Sequence, residues 1–175
     1  KCLVPVGGVP VISRILDAAV LLEPRVIEVI LGHNHAPALE HLRTSHQKCV
    51  IGVARRRLGT APALRCALRR GYVSAPLLVL NGDTVPLYPL ESLVRYHEQR
   101  VGAWATAAVT HRSGQWRDVY AGACILSDTA LDEIYDDSRT KDFPAHLVGA
   151  QRFVVPGFLD IGTPEGFQRA KEWTE

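Results

Sequence analysis

Short runs of apolar, often β-branched residues alternate along the chain with segments in which apolar residues recur at helical spacing. This alternation constrains the fold more than any other feature, because strands separated by helices are typical of a parallel sheet with helices on both faces. The sequence therefore predicts an α/β fold with a doubly wound, mixed and mostly parallel sheet. The predicted strands lie at 25–31, 49–53, 77–82, 103–110, 120–127 and within 153–162, and the predicted helices at 10–22, 37–42, 60–70, 90–99, 128–135, 142–149 and 164–173.

Composition limits the classes of function that such a fold can carry. The 175 residues fit one domain, 1–175, with a sizeable core. A net charge of +2 is too small to indicate a nucleic-acid partner, and no apolar run reaches the ~18 residues of a membrane span. Four cysteines without a CxxC pair lie in apolar runs, which indicates buried thiols in a reducing cytoplasm. We therefore expect a cytoplasmic protein with neither a nucleic acid nor a membrane as partner.

Two aspartates follow predicted strands that lie far apart in the sequence. Asp83 follows the run LLVLNG, and Asp160 follows Phe158 and Leu159 ahead of a helix start. In doubly wound sheets ligands bind outside the carboxyl ends of the strands, and two carboxylates from separate strands can share one Mg²⁺ whose other ligands are water and substrate phosphate. The alternative is that Asp83 is a turn residue and that Asp160 forms an Asx turn before the last helix. Spacing alone leaves both interpretations open.

Leu58, Gly59 and Thr60 open a predicted helix in which Thr60 is the expected cap. Free N–H groups at a helix start, beside a residue without a side chain, permit the close approach of a flat or anionic ligand. Ordinary capping explains the same residues. The arginines at 55–57 likewise indicate either a phosphate site or a solvated basic turn.

Five motifs in order resemble those of the sugar-phosphate nucleotidyltransferases, also called NDP-sugar pyrophosphorylases. They are KCLVPVGGVPVISRIL at 1–16, RRRLGTAPALRCAL at 55–68, LLVLNGDT at 77–84, YAGACILS at 120–127 and FLDIGTPEGFQRA at 158–170. Within that family, LNGDT and DIGTPE are similar to the mannose- or manno-heptose-1-phosphate guanylyltransferase-like branch. The resemblance implies a Rossmann-like fold of the nucleotide-diphospho-sugar transferase type.

The resemblance also implies an activity, the Mg²⁺-dependent joining of a nucleoside triphosphate and a sugar 1-phosphate into an NDP-sugar and pyrophosphate. Asp83 and Asp160 match the family's Mg²⁺ ligands, and Lys1 matches a lysine that contacts phosphate, so Lys1 and Asp83 are the implied catalytic residues. The implied substrate-binding residues are Leu58, Gly59 and Thr60 at the nucleotide, Asn81 and Gly82 beside Asp83, Gly122 in the strand that approaches the sugar, and Lys141 near the sugar phosphate. Lys141 is explained equally well as a surface lysine at a helix start.

Several positions differ from the family's motifs. The family's Gly-rich phosphate loop and first strand precede the lysine segment, whereas this sequence begins at Lys1 and contains no Met, so we expect the natural protein to extend upstream. Val9, Pro62 and Tyr120 replace a lysine, a glycine and an asparagine of the motifs. A sheet that lacks its first strand would leave backbone N–H and C=O groups unpaired. Such an edge could pair with a second copy of the chain, so a homo-oligomer is one possible state.

Two functions from different classes are consistent with these residues. The first is a nucleotidyltransferase, for which residues 1–175 alone are expected to show little or no activity. The second is a non-catalytic relative that binds a nucleotide or a sugar phosphate and has a regulatory or structural role. The replaced residues favour the second function, and the retained Lys1, Asp83 and Asp160 favour the first.

Overall fold

A computed structural model describes residues 1–54, 59–111, 118–136 and 147–173. By backbone contacts the chain divides into two compact units. The first unit comprises Lys1–Glu23, Leu78–Ile125 and Ala150–Glu175, and the second comprises Pro24–Leu77 and Leu126–Gly149. The proposal of a single domain over 1–175 stays a prediction, and each unit is described by itself.

Helices and strands alternate along the described residues as the sequence pattern predicts. The strands are β1 (Pro5–Val6), β2 (Val9–Pro10), β3 (Glu28–Leu31), β4 (Val50–Val53), β5 (Leu77–Leu80), β6 (Thr84–Pro86), β7 (Ala105–Thr110), β8 (Val119–Leu126), β9 (Gln151–Val154) and β10 (Phe158–Asp160). The helices are α1 (Val11–Val20), α2 (Ala36–Ser45), α3 (Thr60–Arg70), α4 (Leu90–Glu98), α5 (Asp128–Asp136) and α6 (Pro164–Lys171). The helix predicted at 142–149 falls mostly outside the described residues.

The first unit is built around a four-stranded sheet in the order β5-β8-β7-β9, in which β7 and β9 run parallel. Helix α4 packs on this sheet through Leu93, which is fully buried among Ala108, Ala121, Ala123 and Ile125. A separate two-stranded sheet pairs β6 with β10 in antiparallel register. The predicted mixed α/β fold is therefore confirmed.

A second apolar cluster supports the β6–β10 pair. Leu159, on β10, is fully buried and packs with Val85 of β6, with Ile161 and with Val11 and Ile15 of α1. These two α1 residues lie four positions apart, which places them on one face of the helix. The strand ends that carry the two predicted metal ligands are thus supported by a packed apolar cluster.

The N-terminal segment forms a hairpin that the sequence pattern did not predict. Strands β1 and β2 pair in antiparallel register around Gly7 and Gly8, whose φ angles are +53° and +76°. Two-residue hairpin turns with positive φ at both positions match the twist of the strands and favour glycine. The hairpin leads directly into α1, since β2 ends at Pro10 and the helix begins at Val11. The Val11 N–H donates to the carbonyl of Val4 at 3.0 Å, which ties the helix start to the hairpin.

The second unit contains the parallel pair β3–β4 and helices α2, α3 and α5. Helix α3 packs against β3 and α5 and ends at Gly71, whose left-handed φ of +72° closes the last turn. The predicted cap at Thr60 is wrong: Gly59 is the N-cap, no side chain caps the helix, and Thr60 is its first residue. An extended Gly59 backbone starts the helix without help from a hydroxyl group.

Candidate active site

The pairing of β6 with β10 brings Asp83 and Asp160 to one place. Asp160 is the last residue of β10 and lies opposite Thr84, the first residue of β6. Asp83 directly precedes that strand, and its carbonyl accepts a hydrogen bond from the Ile161 N–H at 3.0 Å. Because the two strands run in opposite directions, the residue before one strand meets the residue at the end of the other.

Gly162 shows how close the two carboxylates come. A Cβ atom built on Gly162 would lie 2.8 Å from Asp160 Oδ1 and 3.1 Å from Asp83 Oδ2. The two oxygens therefore lie at most about 6 Å apart, with a glycine Cα facing both. Mg²⁺ holds its oxygen ligands at about 2.0–2.1 Å, so this upper bound is compatible with one shared ion after a small side-chain rotation.

Lys1 reaches the same residue from the other end of the sequence. Its Nζ donates to the Gly162 carbonyl at 3.3 Å, while the Lys1 side chain stays exposed. The backbone holds this position, because Val4 N–H donates to the Lys1 carbonyl at 2.8 Å and Ile12 N–H donates to the Cys2 carbonyl at 2.9 Å. The structure therefore gathers Lys1, Asp83 and Asp160 around Gly162.

The start of helix α6 fixes the backbone of Asp160. The Thr163 hydroxyl accepts from the Gly166 N–H at 3.1 Å and donates to the Asp160 carbonyl at 3.3 Å. A Cβ atom on Gly166 would lie 1.6 Å from that carbonyl oxygen, so the helix packs against Asp160 at a distance that only glycine permits.

Asp160 also forms the Asx turn that was the alternative interpretation of this residue. Its Oδ1 accepts a hydrogen bond from the Gly162 N–H at 2.7 Å. Within the described part of the chain, the carboxylate of Asp83 receives no hydrogen bond and forms no ion pair. The turn orients one acid and leaves the other available, so the Asx turn and a metal site are compatible.

Gly122 lies on β8 and is buried. Its φ is +77°, and an added Cβ atom would lie 2.7 Å from both Cβ and Cγ2 of Thr84. Its carbonyl accepts from the Asn81 N–H at 2.8 Å, which ties β8 to the segment that leads through the exposed Gly82 to Asp83. The structure gives Gly122 a packing contact, and its expected contact with the sugar stays a prediction.

The remaining predicted substrate residues belong to the second unit or lie outside the described residues. Gly59 and Thr60 are exposed at the start of α3 in the second unit. Leu58 and Lys141 lie outside the described residues. Their contacts with substrate stay predictions.

Tyr120, which occupies the family's asparagine position, is half-buried, and its hydroxyl oxygen is buried. Burial raises the pKa of the nearby Cys124 thiol to about 12 and raises the pKa of Tyr120 well above its ordinary value. Burial also raises the pKa of Tyr88 beside it. Burial therefore favours the protonated form of all three groups at neutral pH. The four cysteines are free, as expected, but only Cys124 is fully buried.

Gly162 and Thr163 were not among the predicted site residues. Both lie in the DIGT stretch, and the signal was a glycine two positions after an acid. Among the described residues there is no cluster of three or more histidine, cysteine or acidic side chains that could hold a metal ion. In the same ranges, no helix combines the length and the apolar character needed to span a bilayer.

An α/β fold with an acidic pair where β6 meets β10, and with a lysine beside that pair, is consistent with the class of nucleotidyltransferases. The chain belongs to the MobA-like NTP transferase domain family, whose sequence profile matches residues 1–152. This match and the relatives described next together confirm the predicted resemblance to sugar-phosphate nucleotidyltransferases. The profile match ends at residue 152 and does not include Asp160, whereas the sequence match with the relative described next covers 98% of this chain.

Comparison with individual proteins agrees with this assignment. The bifunctional protein GlmU of Thermus thermophilus is 31% identical over 182 residues, covering 98% of this chain and 36% of that protein. The chain thus spans about a third of the length of this relative. Among solved structures, HddC from Yersinia pseudotuberculosis complexed with GMP-PN superposes with a TM-score of 0.73 at 18% identity, covering 98% of this chain and 88% of that one. Apo-UDP-glucose pyrophosphorylase superposes with a TM-score of 0.69 at 13% identity, covering 98% and 89%.

Proposed function

We propose that the protein joins a nucleoside triphosphate to a sugar 1-phosphate, giving an NDP-sugar and pyrophosphate. The observation that carries this proposal is the convergence of Lys1, Asp83 and Asp160 on Gly162. The family assignment supports the nucleotidyl transfer, and the name of one structure of similar fold, UDP-glucose pyrophosphorylase, supports a sugar phosphate as acceptor.

The donor set fits a magnesium ion. Asp83 and Asp160 offer carboxylate oxygens that face one small gap above Gly162. Mg²⁺ commonly binds through one or two carboxylates and fills its other positions with water and substrate phosphate, so two acids are enough. When bound, the ion would neutralise phosphate charge as the triphosphate is cleaved.

Lys1 would hold a phosphate of the nucleotide. Its ammonium group is exposed, and its described contact is with a neutral carbonyl at 3.3 Å. A phosphate oxygen makes a stronger, charge-assisted hydrogen bond and can replace that carbonyl. Lys1 would therefore bind and orient the triphosphate, and it would not transfer a proton.

The reaction that these groups serve is an in-line displacement. An oxygen of the sugar 1-phosphate attacks the α-phosphorus, the bond from the α-phosphorus to the bridging oxygen breaks, and pyrophosphate leaves with that oxygen. The protein holds two anions in line and needs no covalent intermediate. We assign Leu58, Gly59 and Thr60 to the nucleotide, and Asn81, Gly82, Gly122 and Lys141 to the remaining substrate contacts.

The test is pyrophosphate release by the natural polypeptide that carries this sequence, with Mg²⁺. The four common nucleoside triphosphates are each paired with glucose, mannose and N-acetylglucosamine 1-phosphates. One pair should give turnover, and Asp83→Asn should abolish it because the variant removes one of the two charges that face the gap.

Asp17→Asn is the matched control, since Asp17 is exposed on α1 away from the acidic pair, and it should retain full turnover. Binding of a nucleotide without turnover for any pair would replace the proposed enzyme by the non-catalytic relative. Full activity of Asp83→Asn would remove the acidic pair from the reaction.

A further inference from the structure

We propose that Gly162 is a positioning residue, which rests on the proposed function of the acidic pair as a metal site. Three different groups of Gly162 contact the three proposed functional residues. Its carbonyl accepts from Lys1 Nζ at 3.3 Å, its N–H donates to Asp160 Oδ1 at 2.7 Å, and its Cα faces Asp83 Oδ2. The absence of a side chain keeps the gap between the two acids open.

Space is the reason that a glycine is needed at this position. The backbone of Gly162 lies outside the left-handed region, unlike that of Gly122 with its φ of +77°. A residue with a side chain can therefore adopt the Gly162 backbone without strain. What such a residue lacks is room, because its Cβ would lie 2.8 Å and 3.1 Å from the two carboxylate oxygens.

The atoms in the way are the mobile ends of side chains. The three heavy atoms nearest to an added Cβ are Asp160 Oδ1, Asp83 Oδ2 and Asp160 Cγ, the last at 3.7 Å. An alanine methyl group can be accommodated when the two carboxylates rotate away, without movement of the backbone. The cost of the substitution then falls on the arrangement of the acids, and the fold is spared.

Two other glycines provide matched comparisons. A Cβ on Gly166 would lie 1.6 Å from the backbone oxygen of Asp160, so Gly166→Ala must displace the start of α6. Gly157 has no atom within 4 Å of an added Cβ, and its backbone also lies outside the left-handed region. An alanine at position 162 should therefore disturb the acids, an alanine at position 166 should disturb the fold, and an alanine at position 157 should disturb neither.

The experiment measures Mn²⁺ binding by the EPR signal of the free ion, together with the midpoint of thermal unfolding, in the natural polypeptide. Wild type should bind one Mn²⁺, and Asp83→Asn should lose it. Gly162→Ala should weaken Mn²⁺ binding about tenfold or more, as is typical when a group that orients metal ligands is lost. Its unfolding midpoint should stay near that of wild type, and Gly157→Ala should match wild type in both measurements.

Each result decides a separate point. If wild type binds no Mn²⁺, the metal site in the proposed function is wrong, and the role of Gly162 is wrong with it. If wild type binds Mn²⁺ and Gly162→Ala binds it equally well, the positioning role is refuted while the metal site stands. If Gly162→Ala unfolds as easily as Gly166→Ala, Gly162 supports the fold, and the positioning role is likewise refuted.

Discussion

The hydroxyl of Thr163 is the link between helix α6 and the backbone of Asp160. It accepts from the Gly166 N–H at 3.1 Å as the helix cap and donates to the Asp160 carbonyl at 3.3 Å. Thr163→Ala removes both bonds at once. Thr163→Ser keeps the hydroxyl group and therefore both bonds.

The expected cost follows from the two bonds. Loss of a helix cap costs about 1 kcal/mol. The second bond is long, so its loss is placed at the low end of the usual range, about 0.5 kcal/mol. A total of about 1.5 kcal/mol lowers the unfolding midpoint of a chain of this size by about 3–6 °C.

Thermal unfolding followed by circular dichroism checks this value, with Thr44→Ala as the matched control. The Thr44 hydroxyl also donates to backbone carbonyls, those of Glu40 and His41, but within helix α2 and near its exposed end. Its removal should leave the midpoint nearly unchanged because alanine favours the helix. Equal midpoints for Thr163→Ala and wild type, or equal losses for Thr163→Ala and Thr163→Ser, would refute the role of the hydroxyl group.

Two further outcomes concern the first unit. Burial lowers the pKa of His97, whose Nδ1 is hydrogen-bonded to the Thr106 hydroxyl at 2.8 Å, below its ordinary 6.5. As the pH falls through 6.5 the unfolded chain binds this proton before the folded chain does, so the free energy of unfolding should decrease. Denaturant titrations from pH 7.5 to 5 should show a shallower decrease for His97→Gln, and parallel curves would contradict the assignment. Leu159→Ala should lower the free energy of unfolding by about 2–5 kcal/mol in the same titrations, because Leu159 is fully buried in the apolar cluster that supports the acidic pair. A smaller decrease would mean that neighbouring apolar side chains move to fill the space left by the leucine side chain.

The sequence predicted the α/β class because short apolar runs typical of strands alternate with segments in which apolar residues recur at helical spacing. Strands β1, β2 and β6 were not predicted, since two or three residues are too few to show a period. Asp83 and Asp160 were expected to meet at the carboxyl ends of parallel strands. The meeting is confirmed, but an antiparallel pair produces it, and strand pairing of this kind is a tertiary fact that a local pattern does not contain.

The same reason explains the residues that sequence reasoning missed. The importance of Gly162 depends on which side chains lie 2.8 Å and 3.1 Å from a Cβ atom added to it, and Asp83 is distant in the sequence. The predicted cap at Thr60 failed because Gly59 already has the extended backbone that starts the helix. The acidic residue types indicated a possible metal site, but only the three-dimensional packing shows that Gly162 is their neighbour.

The hydrogen bond from Lys1 to the Gly162 carbonyl joins residues 161 positions apart. A ribosome synthesises a chain from its N-terminal side, so the nascent polypeptide carries Lys1 and Asp83 long before Asp160 emerges. Loop closure over such a separation is slow compared with the formation of local helices. The ion binding proposed for the acidic pair would therefore require β10 to have been synthesised, and an interrupted translation product that ends before β10 would lack it.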